Sequence, residues 1–248
     1  MRLFLIRHGE TVDNVAGLWA GSRDSALTAH GVLQARRLAS HLTPQTIAAV
    51  FSSDLQRAAI TARHVCEEQE RHRSLEANSL PHTELVEIRE RDFGAAEGVC
   101  WRDPGMDKNV ESVAESESSM TTRANRFLDT YLFPVTDKIA DNQACAVVAH
   151  GAFLQVLYKA LCSKMSNGGL TFAPRAFADN PSGLPRWKNT AYMQCKLTVS
   201  GDGVRHLHVE RVNCFDHLNG LKKTPGGIGS SAFDEKQRTV DSFFKSKS

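Results

Sequence analysis

Two guanidiniums and two imidazoles recur in one setting along this chain. Arg7-His8-Gly9-Glu10-Thr11 follows the apolar run Leu3 to Ile6, and Ser52-Ser53-Asp54-Leu55-Gln56-Arg57 follows Ile47 to Phe51. His150-Gly151 follows a third run, Ala144 to Ala149. Gathered in one crevice, these donors would repel one another unless an anion sat among them. Phosphate fits, because arginine offers a planar fork matched to its oxygens. Gly9 and Gly151 would let backbone amides approach that anion closely. A neutral imidazole can also attack phosphorus in line, giving a phosphohistidine and dividing one hard displacement into two. The surrounding cations would hold charge on the equatorial oxygens in both steps. On chemistry alone either His8 or His150 could attack. The leaving alkoxide needs a proton, so a carboxylic acid should stand nearby. Glu84, Glu87, Glu90 and Asp92 all lie in the stretch Glu84 to Gly94, and chemistry does not choose among them.

The elements that must position these groups can be read from periodicity. Each of the last two apolar runs leads into a helical pattern: Leu55, Ala58, Ala59, Ala62 and Val65 after the second, Phe153, Leu154, Leu157, Tyr158 and Leu161 after the third. Thr28 can cap a helix continuing through Leu33, Leu38 and Leu42. Short apolar runs alternating with helices predict parallel strands covered on both faces. The expected fold is α/β, a three-layer α/β/α sandwich around a mostly parallel sheet. In such sheets ligands bind beyond the carboxyl ends of the strands, where all three motifs stand. Arg123 to Leu132 reads as a further helix, and residues 163–188, rich in Gly, Pro, Asn and Ser, as a long surface loop. Lys196 to Val199 and Val204 to Val212, joined by Gly201-Asp202-Gly203, read as a hairpin. The folded domain is expected to span 1–215, followed by a flexible linker at 216–235 and a tail at 236–248.

Bulk properties narrow the function classes. The 248 residues, 41% hydrophobic and 23% charged, suit a globular chain with one sizeable core. A formal net charge of +2 gives no reason to expect direct nucleic-acid or membrane binding. The N-terminal apolar stretch is too short for a signal peptide, and no run of eighteen apolar residues occurs. The six cysteines are scattered without metal-ligand spacing and read as reduced core thiols, so neither a metal nor a cofactor is expected. A cytoplasmic location follows, extended to the nucleus by the tail discussed below.

The motifs in order resemble the histidine phosphatase superfamily, the phosphoglycerate-mutase-like group. The resemblance rests on Arg7-His8-Gly9-Glu10-Thr11 with Asn14, Ser53 to Ala58 with Thr61-Ala62, Glu90 to Gly94 with Glu97-Gly98, and His150-Gly151. It covers roughly residues 1–215. It implies His8 as nucleophile, Arg7, Arg57 and His150 as holders of the phosphoryl group, and Glu90 as proton donor. Asn14, Gly21, Ser22 and Gly151 would line the substrate side. The mutases of this group carry a longer insertion before the second histidine and a lysine where this chain has Trp101. The sixty positions from Glu90 to His150 instead include Glu111, Glu115 and Glu117 and no paired arginines. A phosphatase acting on a small phosphorylated substrate is expected, with a mutase and a non-catalytic platform as alternatives. The other histidines, His30, His41, His64, His72, His82, His206, His208 and His217, read as structural or exposed.

The tail carries a separate signal. Gln237, Val240, Phe243 and Phe244 would share one face of a helical turn, flanked by basic residues. Adjacent aromatics near a terminus invite association. The spacing resembles a PIP-box, which docks on the sliding clamp PCNA; the alternative is a short helix packed back on the catalytic domain.

Overall fold

The structure, a computed structural model, describes residues 1–73, 79–102, 114–165, 168–174, 176–177, 187–225 and 227–234. Seven strands form one sheet: β1 (Arg2–Arg7), β2 (Ile47–Ser53), β3 (His82–Leu85), β4 (Ala144–Ala149), β5 (Leu170–Phe172), β6 (Tyr192–Val199) and β7 (Arg205–Cys214). Their order is β3-β2-β4-β1-β6-β7-β5, so β4 lies between the first two strands of the chain. β1, β2, β3 and β4 run parallel, β6 runs antiparallel to β1 and β7, and β5 pairs parallel with β7. The helices are α1 (Val12–Ala16), α2 (Ala29–His41), α3 (Gln56–Arg71), α4 (Glu117–Phe127), α5 (Phe133–Thr136) and α6 (Gly151–Ser163). The α/β class and mostly parallel sheet agree with the sequence.

Side chains alternate across a strand, and both faces of this sheet are dry. Leu3, Leu5, Cys145 and Val147 enter one core with Phe127, Phe153 and Leu157. Phe4, Ile6, Ala146 and Val148 enter the other with Leu38, Ala58, Ala62 and Val65. Burying each such branched or aromatic side chain contributes about 1.5–3 kcal/mol. This double cover fixes the register of β1 and β4, and therefore where Arg7, His8 and His150 emerge.

Several expectations are corrected. Thr28 caps α2, accepting the Gly31 amide at 2.9 Å, but Leu33 lies on its outer face, 39% exposed, beside the buried stripe of Val32, Ala35 and Leu38. The helix read at Arg123–Leu132 runs from Glu117 to Thr136, with a π turn at Leu128–Leu132 between α4 and α5. The supposed loop at 163–188 contains β5 and the buried Trp187; its polar composition suits an edge strand whose Thr171 and Phe172 are exposed. Residues 216–225 and 227–234, read as linker, lie against the body. Ala29 N–H donates to Ser231 O at 3.0 Å, Phe233 N–H to Leu27 O at 2.9 Å, and His217 is buried. Backbone hydrogen bonds need no particular side chains, so Gly/Ser-rich composition did not reveal them. Gln237, Val240, Phe243 and Phe244 lie outside the described residues.

Candidate active site

Because β2, β4 and β1 are neighbours, their carboxyl ends deliver Arg57, His150, Arg7 and His8 to one place. Arg57 follows β2 in the first turn of α3, His150 is the N-cap of α6, and His8 follows β1 directly. Three of them are almost wholly buried: His150 at 0%, Arg57 at 1% and His8 at 3% exposure. A cavity of about 300 Å³ opens beside them, lined by Arg7, His8 and Arg57 with Asn14, Gly21, Glu90, Phe93 and Gly151, while His150 sits behind this lining.

Hydrogen bonds give the two imidazoles opposite tautomers. His8 Nδ1 lies 2.7 Å from Gly9 O. A carbonyl can only accept, so the proton sits on Nδ1 and leaves the Nε2 lone pair free. Arg57 Nε instead donates to His150 Nδ1 at 3.2 Å, so the proton of His150 sits on Nε2. That N–H is buried and has no partner among the described residues. Burial first holds both histidines well below the usual imidazole range, helped at His8 by the charges of Arg7 and then Arg57, and at His150 by Arg57, His8 and then Arg7. Both are neutral at physiological pH. One ring thus presents a free lone pair and the other an N–H, 5.1 Å apart between centroids.

The guanidiniums are pre-set. Arg57 donates from Nη1 to Arg23 O at 2.6 Å and from Nη2 to Gly21 O at 2.7 Å. Gly21 adopts φ +53°, which favours glycine and turns its carbonyl to this task. Arg7 Nη1 donates to Trp187 O at 2.6 Å, while its Nε is buried without a partner. Burial lowers the pKa of both arginines from the ordinary value, and the charge of Glu90 opposes that shift. Two guanidiniums thus face the cavity beside the single Glu90 carboxyl, an arrangement suited to a phosphoryl group.

Glu90 is fixed by an element 62 residues away. The N-terminal amides of α6 lack intrahelical partners. Ala152 N–H donates to Glu90 Oε2 at 3.1 Å and Phe153 N–H to Oε1 at 2.9 Å, with Arg91 N–H adding a second bond to Oε1 at 2.9 Å. Of Glu84, Glu87, Glu90 and Asp92, it is Glu90 that lines the cavity and meets the helix N-terminus.

Other sequence candidates fare differently. Asn14 lines the cavity, its Oδ1 accepting from Asn189 Nδ2 at 2.9 Å. Gly151 lines it as well. Ser22 does not: its N–H donates to Glu97 Oε1 at 2.6 Å and its hydroxyl to Oε2 at 3.0 Å. The Gly9 amide is also unavailable to an anion, since it donates to Thr61 Oγ1 at 3.1 Å. A Cβ at Gly9 would stand 2.6 Å from Gly31 O, so close packing explains this glycine.

Sequence reasoning missed Trp19, Gln155, Trp187 and Asn189. Asn189 Nδ2 and Thr190 N–H both donate to His8 O, at 3.2 and 3.1 Å, and hold the backbone of the nucleophile. Thr190 does so at φ +56°, a strained conformation for a branched residue, with its hydroxyl 3.0 Å from His217 Nε2. No motif marks Trp187, Asn189 and Thr190, because they come from the polar stretch near 188.

The sequence pattern of the Histidine phosphatase superfamily (branch 1) matches residues 3–174. This chain belongs to the histidine phosphatase superfamily. Within the superfamily it is similar to a probable phosphatase of Schizosaccharomyces pombe, 30% identical over 96% of this chain and 78% of the relative. The adenosylcobalamin/alpha-ribazole phosphatase of Salmonella typhimurium is 33% identical over 63% of this chain and 77% of its own length. Among solved structures, a mycobacterial glucosyl-3-phosphoglycerate phosphatase shares the fold with a TM-score of 0.64 at 22% identity, covering 84% of this chain and 96% of that one. The chain accordingly groups with the superfamily's phosphoric monoester hydrolases. Among the described residues no helix is long and apolar enough to cross a membrane, and no three His, Cys, Asp or Glu side chains gather as a metal-holding group.

Proposed function

We propose that this histidine phosphatase superfamily member hydrolyses phosphate monoesters through a phosphohistidine on His8. The observation that carries the reading is the pair of opposite tautomers. His8 offers Nε2 as nucleophile, and His150 offers an unpartnered Nε2–H to a phosphoryl oxygen. Nε2 of His8 attacks phosphorus as the P–O bond to the leaving group breaks. Glu90 gives that alkoxide its proton. Of its two oxygens, Oε2 carries one amide donor against two on Oε1, so Oε2 has room for the proton. Water then attacks the phosphoryl group, returns a proton to Glu90, and releases phosphate with His8 restored. Arg7 and Arg57 stabilise the equatorial oxygens throughout.

Hydrolysis is favoured over mutase transfer by what lines the cavity. A mutase must grip a second anionic group, whereas the cationic lining residues among the described ones are Arg7 and Arg57. A panel of phosphate esters assayed with wild type and His8→Ala, with and without EDTA, tests the reading. Phosphate release that is lost at least ~10³-fold in His8→Ala and unaffected by chelator is expected. Isomerised product without phosphate release, or full activity in His8→Ala, would overturn it.

We infer in addition that the tail docks on PCNA through Gln237, Val240, Phe243 and Phe244, placing the enzyme at the clamp in the nucleus. Support comes from the four-position spacing and flanking basic residues. Calorimetry with a peptide of residues 232–248 should give heat at micromolar clamp, abolished by Phe243→Ala/Phe244→Ala. Absence of heat removes the idea.

A further inference from the structure

All three tryptophans of the chain line the cavity that holds His8, and Phe93 joins them. Core packing accounts for Trp187, 5% exposed, but not for Trp101, which is 46% exposed. Two of the indoles are placed by a short antiparallel pairing in which Leu18 stands opposite Cys100. Trp19 N–H donates to Val99 O at 3.0 Å and Trp101 N–H to Gly17 O at 3.0 Å. Side chains alternate, so Gly17, Trp19, Val99 and Trp101 share one face, with the two indoles as diagonal neighbours. Gly17 leaves that face bare opposite Trp101; a Cβ there would stand 3.6 Å from the indole Nε1. Trp19 rests on Phe93, with centroids 4.4 Å apart and planes tilted by 41°. The Trp19–Phe93 pair and Trp101 thus line the same cavity.

Charge and depth give the cavity a direction. Among the described residues its ionic lining groups are Arg7, Arg57 and Glu90, all at the phosphoryl end. Arg102 lies over the Trp101 ring at 4.4 Å and does not line the cavity. The cations are buried at the floor and the rings stand toward the mouth, where the non-phosphate part of an ester must sit. Flat π-faces favour stacked planar groups and offer an additional carboxylate or phosphate no partner.

We propose that the ester hydrolysed here has an uncharged leaving group bearing an aromatic or heteroaromatic ring, seated against Trp19, Phe93 and Trp101. The proposal rests on the phosphatase reading above and specifies its substrate class. Benzyl phosphate and n-butyl phosphate release alcohols of closely matched difficulty, and 3-phosphoglycerate adds a carboxylate. The wild-type kcat/KM should favour benzyl over butyl phosphate by about tenfold, with phosphoglycerate poorest. Trp101→Ala should collapse the benzyl-to-butyl ratio chiefly through KM, and Trp101→Phe should restore most of it. Equal or reversed preference in wild type, or an unchanged ratio in Trp101→Ala, overturns the proposal. Binding of benzylphosphonate, read by quenching of the tryptophan fluorescence and compared with propylphosphonate, separates the two readings. Preferential binding of the benzyl compound without any turnover would sink the phosphatase reading and leave the aromatic site standing; no preference in binding or turnover sinks the aromatic site alone.

Discussion

The floor and the mouth of the cavity are built by different means. At the floor, Arg57 spends three donors on Gly21 O, Arg23 O and His150 Nδ1 before any substrate arrives. Every polar group there is oriented by another, in a site nearly free of solvent. At the mouth, Trp19, Phe93 and Trp101 meet substrate through faces that stack broadly and orient weakly. A hydrogen-bonded floor performs one reaction with fixed geometry, while an apolar mouth can be altered ring by ring without disturbing it. Reaction type and substrate choice therefore reside in separable parts of one cavity.

Substitution at the floor should have the largest effects. Arg57→Lys keeps the charge but loses the fork, so both carbonyl tethers and the bond to His150 fail together. Steady-state kinetics should show kcat/KM falling by about 10²–10³-fold; a loss under threefold would mean the network is not needed. Glu90→Gln keeps the acceptor for the α6 amides on one oxygen but removes the transferable proton. A fall of about 10²-fold on alkyl phosphates is expected, and a much smaller one on p-nitrophenyl phosphate, whose leaving group needs no proton. Equal losses on both esters would assign Glu90 to positioning instead.

Stability should respond to acid through the buried histidines. His217 is pushed down to about 4, by burial first and by neighbouring His41 second, with Asp216 opposing. Its folded pKa lies below the unfolded value near 6.5, so between them the unfolded chain binds the extra proton. Stability is thus intact above pH 6.5 and erodes as pH falls toward 4, by about 3 kcal/mol for this group. His8 and His150 act in the same direction. Thermal melts should show Tm dropping over that window, and His217→Gln should flatten part of the slope. The smallest effect is expected at Ser22→Ala, which removes one hydrogen bond to Glu97 and touches no substrate. Chemical denaturation should register a loss of about 1 kcal/mol with kcat/KM unchanged within threefold. A tenfold kinetic loss would return Ser22 to the binding site.

What the sequence made legible was whatever is local. The apolar runs at β1, β2 and β4 and the periodic helices behind α3 and α6 revealed the double-covered sheet, and their ends revealed Arg7, His8, Arg57 and His150. The acid was not local. Glu90 differs from Glu84 and Glu87 only in meeting amides of α6, and that contact spans 62 residues or more. The roles of the two histidines likewise depend on partners at Gly9 O and Arg57 Nε, which no spacing encodes. Residues 216–225 and 227–234 misled because their order comes largely from main-chain bonds, some of them to α2 and its entry, indifferent to side-chain type.

His8 precedes Asn189 by 181 positions, yet its carbonyl is held by Asn189 and Thr190, and Thr190 in turn meets His217. On the ribosome, a nascent chain that has released its N-terminal motif and the parallel strands still lacks those tethers. The reactive imidazole is consequently not locked in place until translation has passed residue 217. Vectorial synthesis and catalytic competence are thereby coupled, and fragments interrupted before that point would carry the motif without its clamp.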